Sequence, residues 1–173
     1  MPRCTPAPAA ASAAAEASER ASPVTWRTFF RHFADKREVL FWGQGALQEL
    51  LVSTVASAPD SAAPIDAVAA ALETAGAVLQ QRREFARQRQ AVIAADAGLQ
   101  ERELIKLASL ASALADALRR RGVTDPAASL TAEAGIAIFK IAFERWVSET
   151  GPADLPQLIR ESLDELRAVT AGR

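Results

Sequence analysis

Tyrosine is absent from this chain of 173 residues, and cysteine, histidine and methionine occur once each. The lone Cys4 has no partner for an internal disulfide, which fits a reducing compartment. The lone His32 has no Cys/His/Asp cluster around it, so it argues against a metal centre or a catalytic set. We read His32 as a structural residue or a phosphate contact. The chain also lacks a Ser-His-Asp set, a glycine-rich phosphate loop and any metal-ligand spacing. Carboxylate pairs such as Glu101/Glu103 sit on ordinary helix faces. An enzyme is therefore the least supported class, and neither a cofactor nor a metal is expected. No apolar run approaches the ~20 residues that span a bilayer, and the N-terminus has no leucine-rich core of a signal peptide. No membrane partner is expected. A large excess of charge of one sign is missing too. The formal net charge is −1, which excludes a globally basic nucleic-acid protein and leaves only a local patch for DNA.

What is present is apolar and helix-forming. Hydrophobic residues make up 50% of the chain, mainly Ala, Leu, Ile and Val, against 6% aromatic. Ala and Leu favour helix. Residues 1–23 are an Ala/Ser/Pro-rich stretch with no Leu, Ile or Phe, and they predict a disordered segment. From Trp26 onward the pattern is helical almost throughout, with no useful strand alternation. A short helix is expected over Thr25–Phe33 and a long one over Lys36–Ala56. Pro59–Pro64 breaks the chain. A further helix over Ile65–Leu79 is expected to continue, bent, into Arg82–Ala95, with a junction at Ala97-Gly98. The spacing of Leu104, Leu107, Leu110, Leu114 and Leu118 predicts an amphipathic helix over Leu99–Arg121. Arg119–Arg121 followed by Gly122 is a stop signal, since cations complement the negative helix end and glycine takes the left-handed cap. Asp125-Pro126 opens a helix to Glu149, Gly151-Pro152 ends it, and Leu155–Thr170 is the last.

One stretch carries more specific information: Val24-Thr-Trp-Arg-Thr-Phe-Phe-Arg-His-Phe-Ala-Asp-Lys-Arg-Glu-Val-Leu40. Thr25 is a good N-cap, and Phe29 and Phe33 share a helix face. Asp35 and Glu38 form a capping box for the following helix. The run resembles the recognition helix of bacterial tetracycline-repressor (TetR) type regulators, which reads roughly Val-Ser-x-x-Thr-Phe-Tyr-x-His-Phe before a lysine-bearing turn. Val24, Thr25, Thr28, Phe29, Phe30, His32, Phe33 and Lys36 match in order without a gap. The stretch from Leu99-Gln-Glu-Arg-Glu-Leu to Phe143-Glu-Arg-Trp146 is similar to a subgroup common in actinobacterial regulators. Together the two matches cover about residues 24–172.

The resemblance implies an all-α chain: the remnant of a helix-turn-helix head at 24–40, then an antiparallel helical bundle at 41–173 that binds ligand and dimerises. It implies that Thr25, Trp26, Arg27, Thr28, Phe30, His32 and Lys36 face DNA, with Lys36 free to reach a phosphate. In the family the last two helices of each subunit build a four-helix dimer interface. Here that reading selects Ile136, Phe139, Lys140, Phe143 and Trp146, with Leu158, Leu163 and Leu166 on the last helix. Ile138, Ile141, Ala142 and Val147 fill in between, so the penultimate helix is apolar most of the way round and needs two partners. Arg82, Arg83, Arg87 and Arg89, interleaved with Gln80, Gln81, Gln88 and Gln90, are read as a solvated face, in preference to an anion site for a ligand such as an acyl-CoA phosphate.

The implied function is a ligand-responsive dimeric transcriptional regulator, in the repressor sense, in a bacterial cytoplasm. Its partners are operator DNA, a second copy, and a hydrophobic or amphipathic small molecule whose pocket residues the sequence does not assign. The departure lies in residues 1–23, which lack the large apolar side chains of the two helices that precede the recognition helix in the family. A truncated or frame-shifted gene start would produce this pattern. DNA binding by the chain as given is therefore expected to be weak or conditional. The alternative is a dimerising, ligand-binding module without autonomous DNA binding.

Overall fold

The computed structural model describes residues 43–172, all within the unit Leu40–Arg173. The expectations for residues 1–23, for the helix Thr25–Phe33 and for the seven DNA-facing residues lie outside the described residues. Among the described residues every regular element is helical: α1 (Gln44–Ser57), α2 (Pro64–Gln80), α3 (Arg83–Ala94), α4 (Ala97–Arg120), α5 (Ala127–Ser148) and α6 (Leu155–Thr170). No helix among them is long and apolar enough to cross a membrane.

Local chemistry sets the boundaries. Gly43, at φ 97°, supplies the left-handed turn into α1. Pro64 opens α2, where its missing N–H costs nothing, and Asp66 complements the positive end of that helix. Asp96 caps α4 by accepting from the Leu99 N–H at 3.0 Å, and Asp154 caps α6 by accepting from the Gln157 N–H at 3.3 Å. Helix α4 ends at Arg120, and Gly122 follows at φ 87°, as the Arg-Arg-Arg-Gly signal implies.

Three boundaries differ from the sequence reading. The long helix expected over Lys36–Ala56 does not run through Gly43, whose φ of 97° is left-handed, and α1 begins only at Gln44. The expected bend between residues 79 and 82 is a full break: α2 stops at Gln80, and α3 starts at Arg83 after Arg82 takes φ −124°. The next junction falls at Ala95-Asp96, not at Ala97-Gly98, because Asp96 caps the following turn and Gly98 lies inside α4.

The core is shared by five helices. Val55 of α1, Val68 and Leu72 of α2, Leu110, Leu114 and Leu118 of α4, Trp146 of α5, and Leu155 and Ile159 of α6 are its fully buried large side chains. Helix α2 lies against α1, α5 and α6, while α5 lies against α2, α4 and α6. Alanines and two glycines let the backbones approach. A Cβ on Gly135 of α5 would fall 2.4 Å from Val68 Cγ1, and one on Gly76 of α2 would fall 3.0 Å from Ile159 Cδ1. Helix α3 is different: it buries only Ala86 and Ile93 and rests on α4 and α5.

Candidate functional site

The residues expected at a dimer interface divide by burial. Trp146 is 0% exposed, packed inside its own subunit, and Ile136, Leu158 and Leu163 are also buried. Phe139, Phe143 and Leu166 are half-buried against the same core, and Lys140 is exposed. Phe139 and Phe143 lie 5.7 Å apart by ring centroid, and Phe143 and Trp146 lie 5.6 Å apart. They form an aromatic line along α5. The apolar surface left open on α5 and α6 is elsewhere. Leu130 is 67% exposed and Ile141 53% on α5, and Val169 is 64% exposed on α6. Ala134 and Ala137 fall between Leu130 and Ile141, so 130, 134, 137 and 141 follow the 4-3-4 spacing of one helix face. That spacing is legible in the sequence, but the bulky aromatic residues of the same helix drew the reading toward the covered face.

The basic run of α3 is not uniformly solvated, contrary to the sequence reading. Arg82 and Arg87 are exposed. Arg83 is half-buried and donates four hydrogen bonds. Two go to the Trp146 carbonyl at 3.0 and 2.8 Å, one to Glu149 O at 2.7 Å and one to Gly151 O at 2.7 Å. Its guanidinium lies 5.9 Å from the Trp146 ring centroid. The last carbonyls of a helix have no intrahelical donors and carry the negative end of the dipole, so a planar five-donor cation suits them. Three residues earlier, Gln80 donates to Ala153 O at 2.8 Å and accepts from the Leu155 N–H at 3.0 Å. The break between α2 and α3 thus clasps the turn between α5 and α6. Arg121 acts alike at the end of α1, donating to Ala58 O at 2.6 Å and Pro59 O at 2.7 Å. These partners lie more than sixty residues away in sequence. No local pattern encodes such pairings.

Arg89 joins α3 to α4 through Glu103, at 2.5 Å between Nη2 and Oε2, and Lys106 meets the Glu103 Oε1 at 3.4 Å. The three side chains are largely covered: Arg89 is 11% exposed, Lys106 15% and Glu103 21%. Burial would raise the Glu103 carboxyl, but the bonds from Arg89 and the charge of Lys106 outweigh it and hold the carboxyl below its usual range. Burial also pushes the Lys106 ammonium below the usual lysine range, although Glu103 opposes the shift.

Two grooves indent the bundle. One of about 260 Å³ runs between α2 and α6, with ion pairs Glu73–Arg160 and Asp66–Arg167 along it. A second, of about 220 Å³, lies between α4 and α5, beside Ser112, Arg119, Ser129 and Glu133.

Residues 62–171, which cover α2 to α6 and the end of the preceding loop, match the family model described as the MftR C-terminal domain, a C-terminal domain of TetR-type regulators. The chain belongs to the TetR family. No curated protein gives a significant match to it. The all-helical bundle agrees with a TetR C-terminal domain, in which α5 and α6 are the last two helices.

Proposed function

We propose that this TetR-family chain is a ligand-responsive dimeric transcriptional regulator, acting as a repressor in the bacterial cytoplasm. The observation that carries the reading is the family match over residues 62–171, joined by the open apolar face of α5 and α6. Leu130, Ile141 and Val169 are large apolar side chains in water, and α5 already packs on α2, α4 and α6 of its own subunit. A second copy of the chain would cover them, forming a four-helix contact through the last two helices. Of the expected set, Phe139 and Phe143 fall on the side of α5 away from that face, and with Leu166 and the buried residues they would support the contact from within the subunit, while Lys140 is exposed. A hydrophobic or amphipathic ligand bound in the bundle would change the spacing of two DNA-reading heads and lower operator affinity, a coupling between two sites.

Thr25, Trp26, Arg27, Thr28, Phe30, His32 and Lys36 remain the proposed DNA contacts. Because residues 1–23 carry no large aliphatic or aromatic support for them, the chain as given binds operator DNA weakly, and its dimerising and ligand-binding role can stand alone. The test is a salt titration of the full chain against its own promoter fragment and a scrambled control. Phosphate contacts alone give an affinity of about 10⁻⁴–10⁻⁶ M that fades with salt and ignores sequence. We expect that behaviour for the chain as given. Clear preference for the promoter at physiological salt would show a working DNA-reading head and remove the weak-binding part of the proposal.

A further inference from the structure

Helix α4 buries Leu110, Leu114 and Leu118 but leaves Leu104 61% and Ile105 59% exposed. Among the described residues nothing covers either side chain. Ile105 lies on a seam of six residues along the outward side of the helix: Glu101, Ile105, Ala108, Ser112, Ala115 and Arg119. Their spacing is 4-3-4-3-4, the spacing at which one helix meets another along its whole length. Five of the six are exposed, and Ala115 is buried at the floor of the groove of about 220 Å³ between α4 and α5. Leu104, Ala108, Ala111 and Ala115 share a face, again by 4-3-4 spacing, so Leu104 stands on the groove side of α4, beyond the alanines that line it.

This seam is complementary to itself when reversed. Turned end for end about Leu110, it sets Glu101 opposite the partner's Arg119, Ile105 opposite the partner's Ala115, and Ala108 opposite the partner's Ser112. Opposite charges meet at both ends, a large side chain faces a small one, and two small ones meet near the centre. A parallel pairing would instead set Glu101 against Glu101 and Arg119 against Arg119. A two-fold rotation keeps like flanks together, so Leu104 falls on the groove side of the second copy, level with the partner's Ala111 and the partner's Ala115. Arg119 is preset for such a contact: bonds to Asp116 at 2.7 Å, Asp125 at 2.8 Å and Ser129 at 2.9 Å hold its guanidinium at the surface.

We propose that the outward face of α4 is a second self-association surface: two copies pair through antiparallel α4 helices, and Leu104 of each sits in the alanine-lined groove of the other. The contact uses none of Leu130, Ile141 and Val169, so it goes beyond the dimer through α5 and α6 and joins such dimers to one another. A single pair of helices buries less than the roughly 1,200 Å² at which stable interfaces begin. The α4 contact is therefore weak. It is dissociated in dilute solution, where the dimer through α5 and α6 stands alone, and it forms where the chain is concentrated.

The test is sedimentation equilibrium of the full chain from about 1 μM to about 1 mM, the range in which weak contacts form. The unaltered chain should pass from dimer toward tetramer as its concentration rises. Leu104→Glu places a carboxylate beside the partner's Glu133 and should hold the chain at dimer throughout. Glu101→Arg sets like charges together at both ends of the seam and should raise the dissociation constant of the α4 contact about tenfold. Both positions are exposed, so helicity should not change. Ile141→Glu, which breaks only the other face, should be monomeric when dilute and dimeric when concentrated. Disulfide trapping reads the register: in a Cys4→Ser background, Ala108→Cys mixed with Ser112→Cys should cross-link several-fold faster than either chain alone, because those two positions face one another. An unaltered chain that stays dimeric at every concentration would overturn the α4 contact and leave the dimer through α5 and α6 standing. A rise in mass that survives Leu104→Glu would overturn it too. A chain whose only association is lost in Leu104→Glu and kept in Ile141→Glu would uphold the α4 contact and overturn the other. The concentration series of the unaltered chain decides the matter even if a variant fails to fold.

Discussion

Helices α5 and α3 lie side by side, yet they are held by different physics. Helix α5 sends Ala128, Ala132, Ile138, Ala142 and Trp146 into the core and brings Gly135 against Val68. Helix α3 buries two residues, and its anchors are an arginine on backbone carbonyls at one end and an Arg–Glu pair in the middle. Apolar burial stabilises in proportion to area and tolerates little displacement in a close-packed interior. Polar bonds are directional, and the exposed ones, such as those from Arg83 to Glu149 and Gly151, can be exchanged for water at small net cost. One helix is therefore framework. The other is the element that can shift at the smaller cost in buried apolar area.

The comparison breaks most visibly at Trp146. Trp146→Ala removes the largest fully buried side chain of α5 and should cost about 3–5 kcal/mol, read as a drop in the denaturation midpoint. A loss under about 1 kcal/mol, the range of surface substitutions, would mean that α5 is not the framework described. Arg83→Ala should cost less, about 1–3 kcal/mol, because the carbonyls of Trp146, Glu149 and Gly151 lose their donor but lie close enough to the surface for water to reach some of them. Amide exchange should then rise in α3 and in the turn between α5 and α6 while the centre of α5 stays protected. Uniform loosening of all helices would contradict the division.

The smallest effect is expected at Glu103. Its folded carboxyl lies below the usual 4.5, so its contribution to stability is present above that value and fades as pH falls through the lowered one. The stability gap between the unaltered chain and Glu103→Gln should hold near neutral pH and narrow once pH drops below 4.5. A gap constant into acid would show that the Arg89–Glu103 contact does not depend on the carboxylate charge.

The same contrast explains what the sequence could show. Helices α4, α5 and α6 were legible because their large residues recur at three- and four-residue steps and because Gly122, Asp125-Pro126 and Gly151-Pro152 mark their ends. The family was legible in the short run from Val24 to Lys36 and, more softly, in the bundle. The inward turn of Trp146 was not, because α5 is apolar on several faces and spacing alone does not rank them. Burial in the core does. The role of Arg83 was hidden for a different reason: a cation among glutamines looks solvated until the fold brings the end of α5 to it from 63 residues away.

The most direct test of the account is the oligomeric state of the full chain, measured by sedimentation velocity alongside Ile141→Glu with helicity checked by circular dichroism. The unaltered chain should sediment as a dimer, and the variant, with unchanged helicity, as a monomer, because the charge falls on the open apolar face of α5 and not in the subunit core. A monomeric unaltered chain, or a folded Ile141→Glu variant that remains fully dimeric, would contradict the assignment of that face to a second copy.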